Sequence, residues 1–414
     1  MRAIIGRALW PGVGPVVNEG AVIVRQGRVL ATGPWPRLRG EFSRAEILDL
    51  SDCLILPGFV NAHTHLELTH LKGRVEYNGD FPTWVRQVTR QRAHEQTLAD
   101  VLAAGVRQSL AGGATLVGDI SHAGNARQHL LGAPIRKVCF AETVGLADDV
   151  SPQQASLEEW LDEGGRDSWT QLGLSPHAPY SSGRRLYELT AQLAAKHDVR
   201  LTTHLAEMPA EAEFLQTGAG PWRAFLEDIG KWPASFIPPR CSPVEFFLDL
   251  DLAGQDCLLA HVNYLDDDEL ARLARTRHSV AFCPRSHRYF GHKNHRFRDM
   301  LAAGINVCLG TDSLASNDSL SMLDEIRFLH REYPDVPPEQ LLAMATRNGA
   351  RALAWDEHTG ALEPGKEADL VAVQITPRDY PLREVLAGDG PVRMVMIAEE
   401  IVHGGVDYDP NNEW

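Results

Sequence analysis

No Cys-x-x-Cys pair occurs among the six cysteines, so thiol-pair zinc ribbons and dithiol redox motifs are excluded. Cys53, Cys139, Cys241, Cys257, Cys283 and Cys308 are scattered, several inside apolar runs such as Val138-Cys139-Phe140, and are expected to be reduced core thiols. No apolar run approaches the roughly 18 residues that a membrane span needs. Met1 to Trp10 carries a short apolar patch without a cleavage pattern, and the protein is expected in the cytoplasm, off the membrane. Positive charge is scarce: 40 Lys and Arg stand against 55 Asp and Glu, a net charge of −15 that repels phosphate backbones and argues against nucleic acid as a partner. Low-complexity segments and short repeats are absent. What is present is an ordinary globular composition, 44% hydrophobic and 23% charged, over 414 residues, enough for two to three domains.

The first fifty residues alternate short β-rich runs with turns, at 2–5, 21–25, 27–31 and 45–48. That texture returns after Gly360, with strands expected at 368–373 and 392–397 and a turn at Gly404-Gly405. Residues 1–55 and 360–414 are therefore expected to combine into one small β-sandwich, since the termini of a domain often lie close together. Between them, apolar runs at 55–61, 114–120, 136–141, 171–175, 200–203, 257–260, 279–283 and 305–310 alternate with helical stretches such as 186–197, 267–275 and 322–333. Eight such βα units over 56–359 predict an α/β fold, a (β/α)₈ TIM-type barrel carrying the catalytic groups.

Several histidines stand immediately after these strands, where a barrel gathers its catalytic groups. His63 and His65 follow the first strand in Asn61-Ala62-His63-Thr64-His65, and residues two apart on extended backbone share one side, so both imidazoles can reach one ion. His204 closes the fifth strand, His261 the sixth, and Asp312 the eighth. A structural histidine capping a strand is the ordinary reading of each alone. Five such groups at the ends of four strands instead predict a mononuclear metal site.

At these residues the chain resembles the amidohydrolase superfamily, in its cytosine-deaminase and chlorohydrolase-like branch. The motifs that carry the resemblance stand in the family's order: Pro57-Gly58-Phe59-Val60-Asn61-Ala62-His63-Thr64-His65, Ser175-Pro176-His177-Ala178-Pro179, His204-Leu205-Ala206-Glu207, Gly310-Thr311-Asp312-Ser313 and Gly365-Lys366-Glu367-Ala368-Asp369-Leu370. The resemblance implies that His63, His65, His204 and Asp312 hold one divalent ion, zinc first, with Fe²⁺ or Mn²⁺ as alternatives.

An ion in such a site lowers the pKa of a bound water towards neutrality. Asp312 suits the base that takes the water proton. Glu207, three residues past His204, is expected at the rim, protonating a ring nitrogen, with His261 stabilising the attacking hydroxide and the tetrahedral centre. A solvated surface charge is the bland reading of Glu207. No Lys closes the third or fourth strand to bridge a second ion, and Glu142 is expected to support a ligand rather than bind metal.

For the substrate, His177 resembles the family's substrate-contacting histidine and Trp84 an aromatic that lines the pocket in nucleoside-deaminating members. Pro82 and Thr83 replace the acidic residue those members carry just before it, and Glu67 is the candidate to contact ribose instead. Arg285, in Cys283-Pro284-Arg285-Ser286-His287, stands where many relatives have a small or apolar residue, and a guanidinium there fits an anionic substrate tail. His287, His292 and His295 are expected to form a binding loop rather than a second metal site. With the insertion through Thr217-Gly218-Ala219-Gly220-Pro221 and Pro238-Pro239-Arg240, these features resemble the subgroup that deaminates aminodeoxyfutalosine, an adenine nucleoside bearing a benzoate, in menaquinone biosynthesis. Other deaminases of adenosine, guanine or S-adenosylhomocysteine, and triazine chlorohydrolases, would share every metal residue; a metal-free interaction protein on the same barrel is the alternative of a different class. The chain is further expected to act on a small molecule as a homo-oligomer.

Overall fold

The computed structural model describes residues 1–163, 165–376 and 380–404. The N-terminal segment forms five strands, β1 (Arg2–Leu9), β2 (Val17–Asn18), β3 (Gly20–Arg25), β4 (Arg28–Pro34) and β5 (Glu46–Pro57). Eight strands follow: β6 (Phe59–Thr64), β7 (Ala114–His122), β8 (Arg136–Thr143), β9 (Thr170–Pro176), β10 (Arg200–Leu205), β11 (Cys257–His261), β12 (Ser279–Phe282) and β13 (Asn306–Leu309). They pair in sequence order, every pair parallel, as a (β/α)₈ barrel requires. The ring closes where Thr64 bridges Asp312 and the Asp312 N–H donates to His63 O at 3.0 Å. Gly310 permits this closure, because a Cβ there would fall 2.7 Å from His63 O.

Strands across the ring from one another meet inside it. Leu116, Ile120, Val138 and Phe140 pack with Leu258, Ala281, Cys308 and Trp355 in one buried cluster, so the barrel interior is a packed core rather than a pore. The helices cover the outside with apolar stripes. In Arg184–His197, Leu186, Leu189 and Leu193 recur at three- and four-residue spacing and are buried in the layer between helices and strands. No helix among the described residues is long and apolar enough to cross a membrane.

After the barrel come β14 (Leu370–Gln374), β15 (Val392–Ile397) and β16 (Glu400–Gly404). They join the N-terminal strands in one mixed sheet of order β16-β15-β14-β5-β1-β3-β4, with β2 on β1, and β14 pairs antiparallel with β5 to bring the two chain ends together. Val29 of β4 and Met394 of β15 share one buried cluster although they lie towards opposite ends of that order, so the sheet curls over its own core.

The sequence reading needs three corrections here. Residues 55–57 belong to β5 of the small sheet, and the first barrel strand begins only at Phe59. Gly404 ends β16 instead of opening a turn; Gly405, with the rest of 405–414, lies outside the described residues. All six cysteines are free, but Cys241 is half-buried rather than in the core.

Candidate metal centre and active site

His63 sits at the centre of the barrel mouth, fully buried, with both ring nitrogens lacking a hydrogen-bond partner. The rings of His65, His204 and His261 surround it at 5.1, 5.0 and 5.2 Å between centroids. His204 Nδ1 lies 3.0 Å from His177 O, and since a carbonyl only accepts, Nδ1 carries the proton and Nε2 the lone pair. That lone pair faces His65 Nε2 across 3.3 Å. Asp312 Oδ1 stands 3.9 Å from Nε2 of both His63 and His65. Its carboxylate is oriented by Ser286 Oγ at 2.7 Å and Ser316 Oγ at 2.8 Å on Oδ2, and by the Ser313 N–H at 2.8 Å on Oδ1. Burial pushes the Asp312 carboxyl up, but His261, His65 and the two seryl hydroxyls outweigh it and hold the group below the usual carboxylate range.

Buried ring nitrogens are normally satisfied, and those of His63 have only other imidazoles and a carboxylate around them. Three imidazoles, whose nearest ring nitrogens lie within 4.8 Å of one another, plus one anionic oxygen match the donors a borderline divalent ion takes. His63, His65, His204 and Asp312 therefore fit such an ion. Burial and the neighbouring imidazoles also keep His63 and His65 neutral, the form that ligates.

Glu207 and His261 flank this group. Glu207 Oε1 lies 3.7 Å from His261 Nε2, and both belong to a cluster with Asp312 whose nearest ligand atoms lie within 4.8 Å. Glu207 is buried, which counts against its bland reading as a solvated surface charge. Burial, Asp312 and Glu211 push its carboxyl well above the usual carboxylate range. Burial brings His261 down to about 3, leaving a neutral imidazole. Left-handed backbone at His261 (φ 74°) and Asp312 (φ 58°) marks two strained strand ends held by their surroundings.

The supports of these residues were not legible in the sequence. Glu211, in the helix Pro209–Thr217, accepts the N–H groups of Ala206 at 3.2 Å and Glu207 at 2.9 Å, while the Asn263 amide donates to Glu207 O at 3.0 Å. His295 Nε2 donates to His261 O at 2.8 Å and stacks on Phe282 at 3.8 Å. His287, His292 and His295, expected as a binding loop, are all buried; His295 braces the end of β11, and His292 Nδ1 lies 2.8 Å from the Tyr264 hydroxyl.

A family model described as the amidohydrolase family matches residues 54–402. The chain belongs to the amidohydrolase family. It is 30% identical over 395 residues to a 5-methylthioadenosine/S-adenosylhomocysteine deaminase of Moorella thermoacetica, covering 91% of this chain and 86% of that protein. It is also 30% identical over 370 residues to an aminodeoxyfutalosine deaminase of Deinococcus radiodurans, covering 85% of each. The fold matches that of Helicobacter pylori aminofutalosine deaminase in complex with methylthio-coformycin at a TM-score of 0.87 and 23% identity, over 97% of this chain and 100% of that one.

In this amidohydrolase a second polar row runs away from the histidines. His177 Nε2 is 3.9 Å from Glu142 Oε1, Arg92 reaches Glu142 at 3.7 Å and Glu67 at 4.0 Å, and Glu67 accepts the His122 N–H at 3.2 Å. Burial would raise Glu142, yet His177, Arg92, His65 and His204 hold it at about 2. Arg92 escaped the sequence reading because it lies between two helices with no motif around it. Trp84 belongs to an aromatic wall instead: it stacks on Phe81 at 5.4 Å and meets Phe290 at 5.0 Å, its indole N–H buried and unpartnered. The wall continues from Phe81 through Trp222 and Tyr180 to His177. Arg285 stands apart from the histidines. It pairs with Asp318, lies 4.0 Å from carboxylate oxygens of both Asp324 and Glu325, and gives its backbone N–H to Glu325 at 3.2 Å.

Proposed function

We propose that this amidohydrolase is a metal-dependent aminohydrolase of an adenine-nucleoside-like substrate, converting 6-amino-6-deoxyfutalosine to futalosine and ammonia for menaquinone biosynthesis, with one zinc ion held by His63, His65, His204 and Asp312. The observation that carries the reading is a buried Glu207, its carboxyl pushed well above the usual range, set 3.7 Å from a neutral His261 and clustered with the ionised Asp312. Two carboxyl groups whose environments push their pKa values apart supply an acid and a base in one site.

The ion, when bound, supplies Lewis acidity and brings the pKa of water towards neutrality. Asp312, oriented by Ser286, Ser313 and Ser316, takes the proton of the attacking water. His261 Nε2 holds the attacking oxygen in line with C6 of the base. Glu207 gives its proton to the adjacent ring nitrogen as C6 becomes tetrahedral, the proton taken by Asp312 leaves with the amine as ammonia, and the remaining hydroxyl proton returns to Glu207 as the C6 carbonyl forms. His177 and the wall of Trp84, Phe81 and Trp222 position the base and exclude water, and Glu67 receives the ribose hydroxyls.

Arg285 supports a substrate with an anionic tail. Its partner Asp318 has a side chain 76% exposed, so a substrate carboxylate can take its place. A 5-methylthioadenosine/S-adenosylhomocysteine deaminase is the second reading, favoured by the identity of 30% over 91% of the chain to the protein of that name. Ammonia release measured across adenine nucleosides with and without a carboxylate separates the two. Absence of release from every adenine nucleoside by metal-loaded protein would sink both.

A further inference from the structure

At the same end of the barrel, the loops after β6, β12 and β13 and the helix Met322–Glu332 enclose a cavity of about 770 Å³. Five cations line it, Lys72, Arg285, Arg288, Arg327 and Arg331, against two carboxylates, Asp318 and Asp324. In a chain of net charge −15 such an excess of positive charge is out of character and focuses potential in a concave site.

Only part of that charge is cancelled locally. Arg285 pairs with Asp318 and Arg288 with Glu332, while Arg327 spends its hydrogen bonds on the carbonyls of Val385 at 2.9 Å and Gly390 at 2.7 Å. Among the described residues, Lys72 and Arg331 face no carboxylate within ion-pair distance, and Arg285 Nη1 is buried without a hydrogen-bond partner. Glu325, behind Arg285, is pushed by burial to about 8 against the pull of that guanidinium, so it too leaves the positive charge standing at neutral pH. Ser316 lines the cavity and gives its hydroxyl to Asp312 Oδ2 at 2.8 Å, so one side chain separates the cavity from the catalytic carboxylate.

We infer that this cavity is an anion site, which takes a carboxylate or phosphate group through Lys72, Arg331 and the free edge of Arg285. The group is the anionic end of the substrate or a free small anion; the first source rests on the nucleoside reading above.

The test pairs two measurements on metal-loaded enzyme and on a Lys72→Glu/Arg331→Glu double variant, whose sites are exposed and leave the core untouched. One is calorimetric titration with inorganic phosphate, and the other is kcat/KM for a carboxylated adenine nucleoside and for neutral methylthioadenosine. Loss of a charge-assisted contact predicts phosphate affinity lower by about tenfold or more in the variant. If the substrate's tail is the occupant, kcat/KM for the carboxylated nucleoside falls by a similar factor while methylthioadenosine is turned over as before. If a free anion is the occupant, phosphate affinity falls and both nucleosides keep their rates. Phosphate binding and carboxylated-nucleoside kinetics both unchanged by charge reversal would overturn the anion site. If the wild-type enzyme turns over neither nucleoside, the activity reading fails and the phosphate titration alone judges the cavity.

Discussion

Arg136 and Asp369 form a buried bidentate pair, Nε to Oδ2 at 2.6 Å and Nη2 to Oδ1 at 3.0 Å, that ties barrel strand β8 to the C-terminal Gly365–Leu370 motif. The guanidinium lies over Trp169 and Trp355, and Glu367 takes its remaining edge. Removing one partner strands the other charge in the core, so Asp369→Ala should destabilise the fold by about 3–5 kcal/mol. Urea unfolding measures this, and a loss under about 1 kcal/mol would mean that the pair does not hold the two sheets together.

Glu207→Gln should keep the metal and lose turnover by roughly 10²–10⁴-fold, the usual contribution of general acid–base catalysis. Elemental analysis and steady-state rates on the same preparation check it. Near-normal turnover in a metal-replete variant removes Glu207 from proton transfer.

Purified protein should contain one tightly bound divalent ion per chain, lose activity to a chelator and regain it with Zn²⁺. His204→Ala should fold with its far-ultraviolet spectrum unchanged yet bind the ion poorly, because the carbonyl of His177 orients that imidazole. Two equivalents of metal in fully active enzyme would instead assign a second ion to the cluster of Glu142, His177 and His204.

Stability should fall as pH rises towards about 8, in part through Glu325. Burial raises its carboxyl from the ordinary 4.5 to about 8, so the folded state holds a proton that the unfolded chain has released. The contribution is full below pH 4.5 and is lost as pH climbs through 8. Glu325→Gln should flatten that decline, whatever it does to absolute stability, and unfolding curves from pH 5 to 9 on both proteins show whether the slopes differ.

Arg285→Met removes a charge-assisted pair of about 1.5–3 kcal/mol and should cost roughly 10- to 150-fold in kcat/KM for a carboxylated nucleoside. An uncharged nucleoside should be turned over almost equally by both enzymes. Equal losses on the two substrates would point to damage around Glu325 and Asn317 rather than lost recognition, and would count against an anionic tail.

The eight barrel strands and the β-rich chain ends were legible in the sequence because buried parallel strands are written as continuous apolar runs bounded by turns and helical periods. Chemistry-bearing side chains at strand ends were legible for the same reason: once a strand is located, its last residues are known to face the mouth. The same continuity misled at residues 55–61, where one apolar run serves two sheets and only the pairing of β5 with β1 and β14 decided the break before Phe59. Tertiary structure alone decided which groups meet. Arg92 against Glu142, Ser286 against Asp312, and His295 against His261 join residues 26 to 50 positions apart, and no local period encodes such contacts. It also decided which way the carboxyl groups shift. Glu207 and Asp312 are both carboxyl groups in the sequence; only their depth and their neighbours push one above and hold the other below the usual carboxylate range.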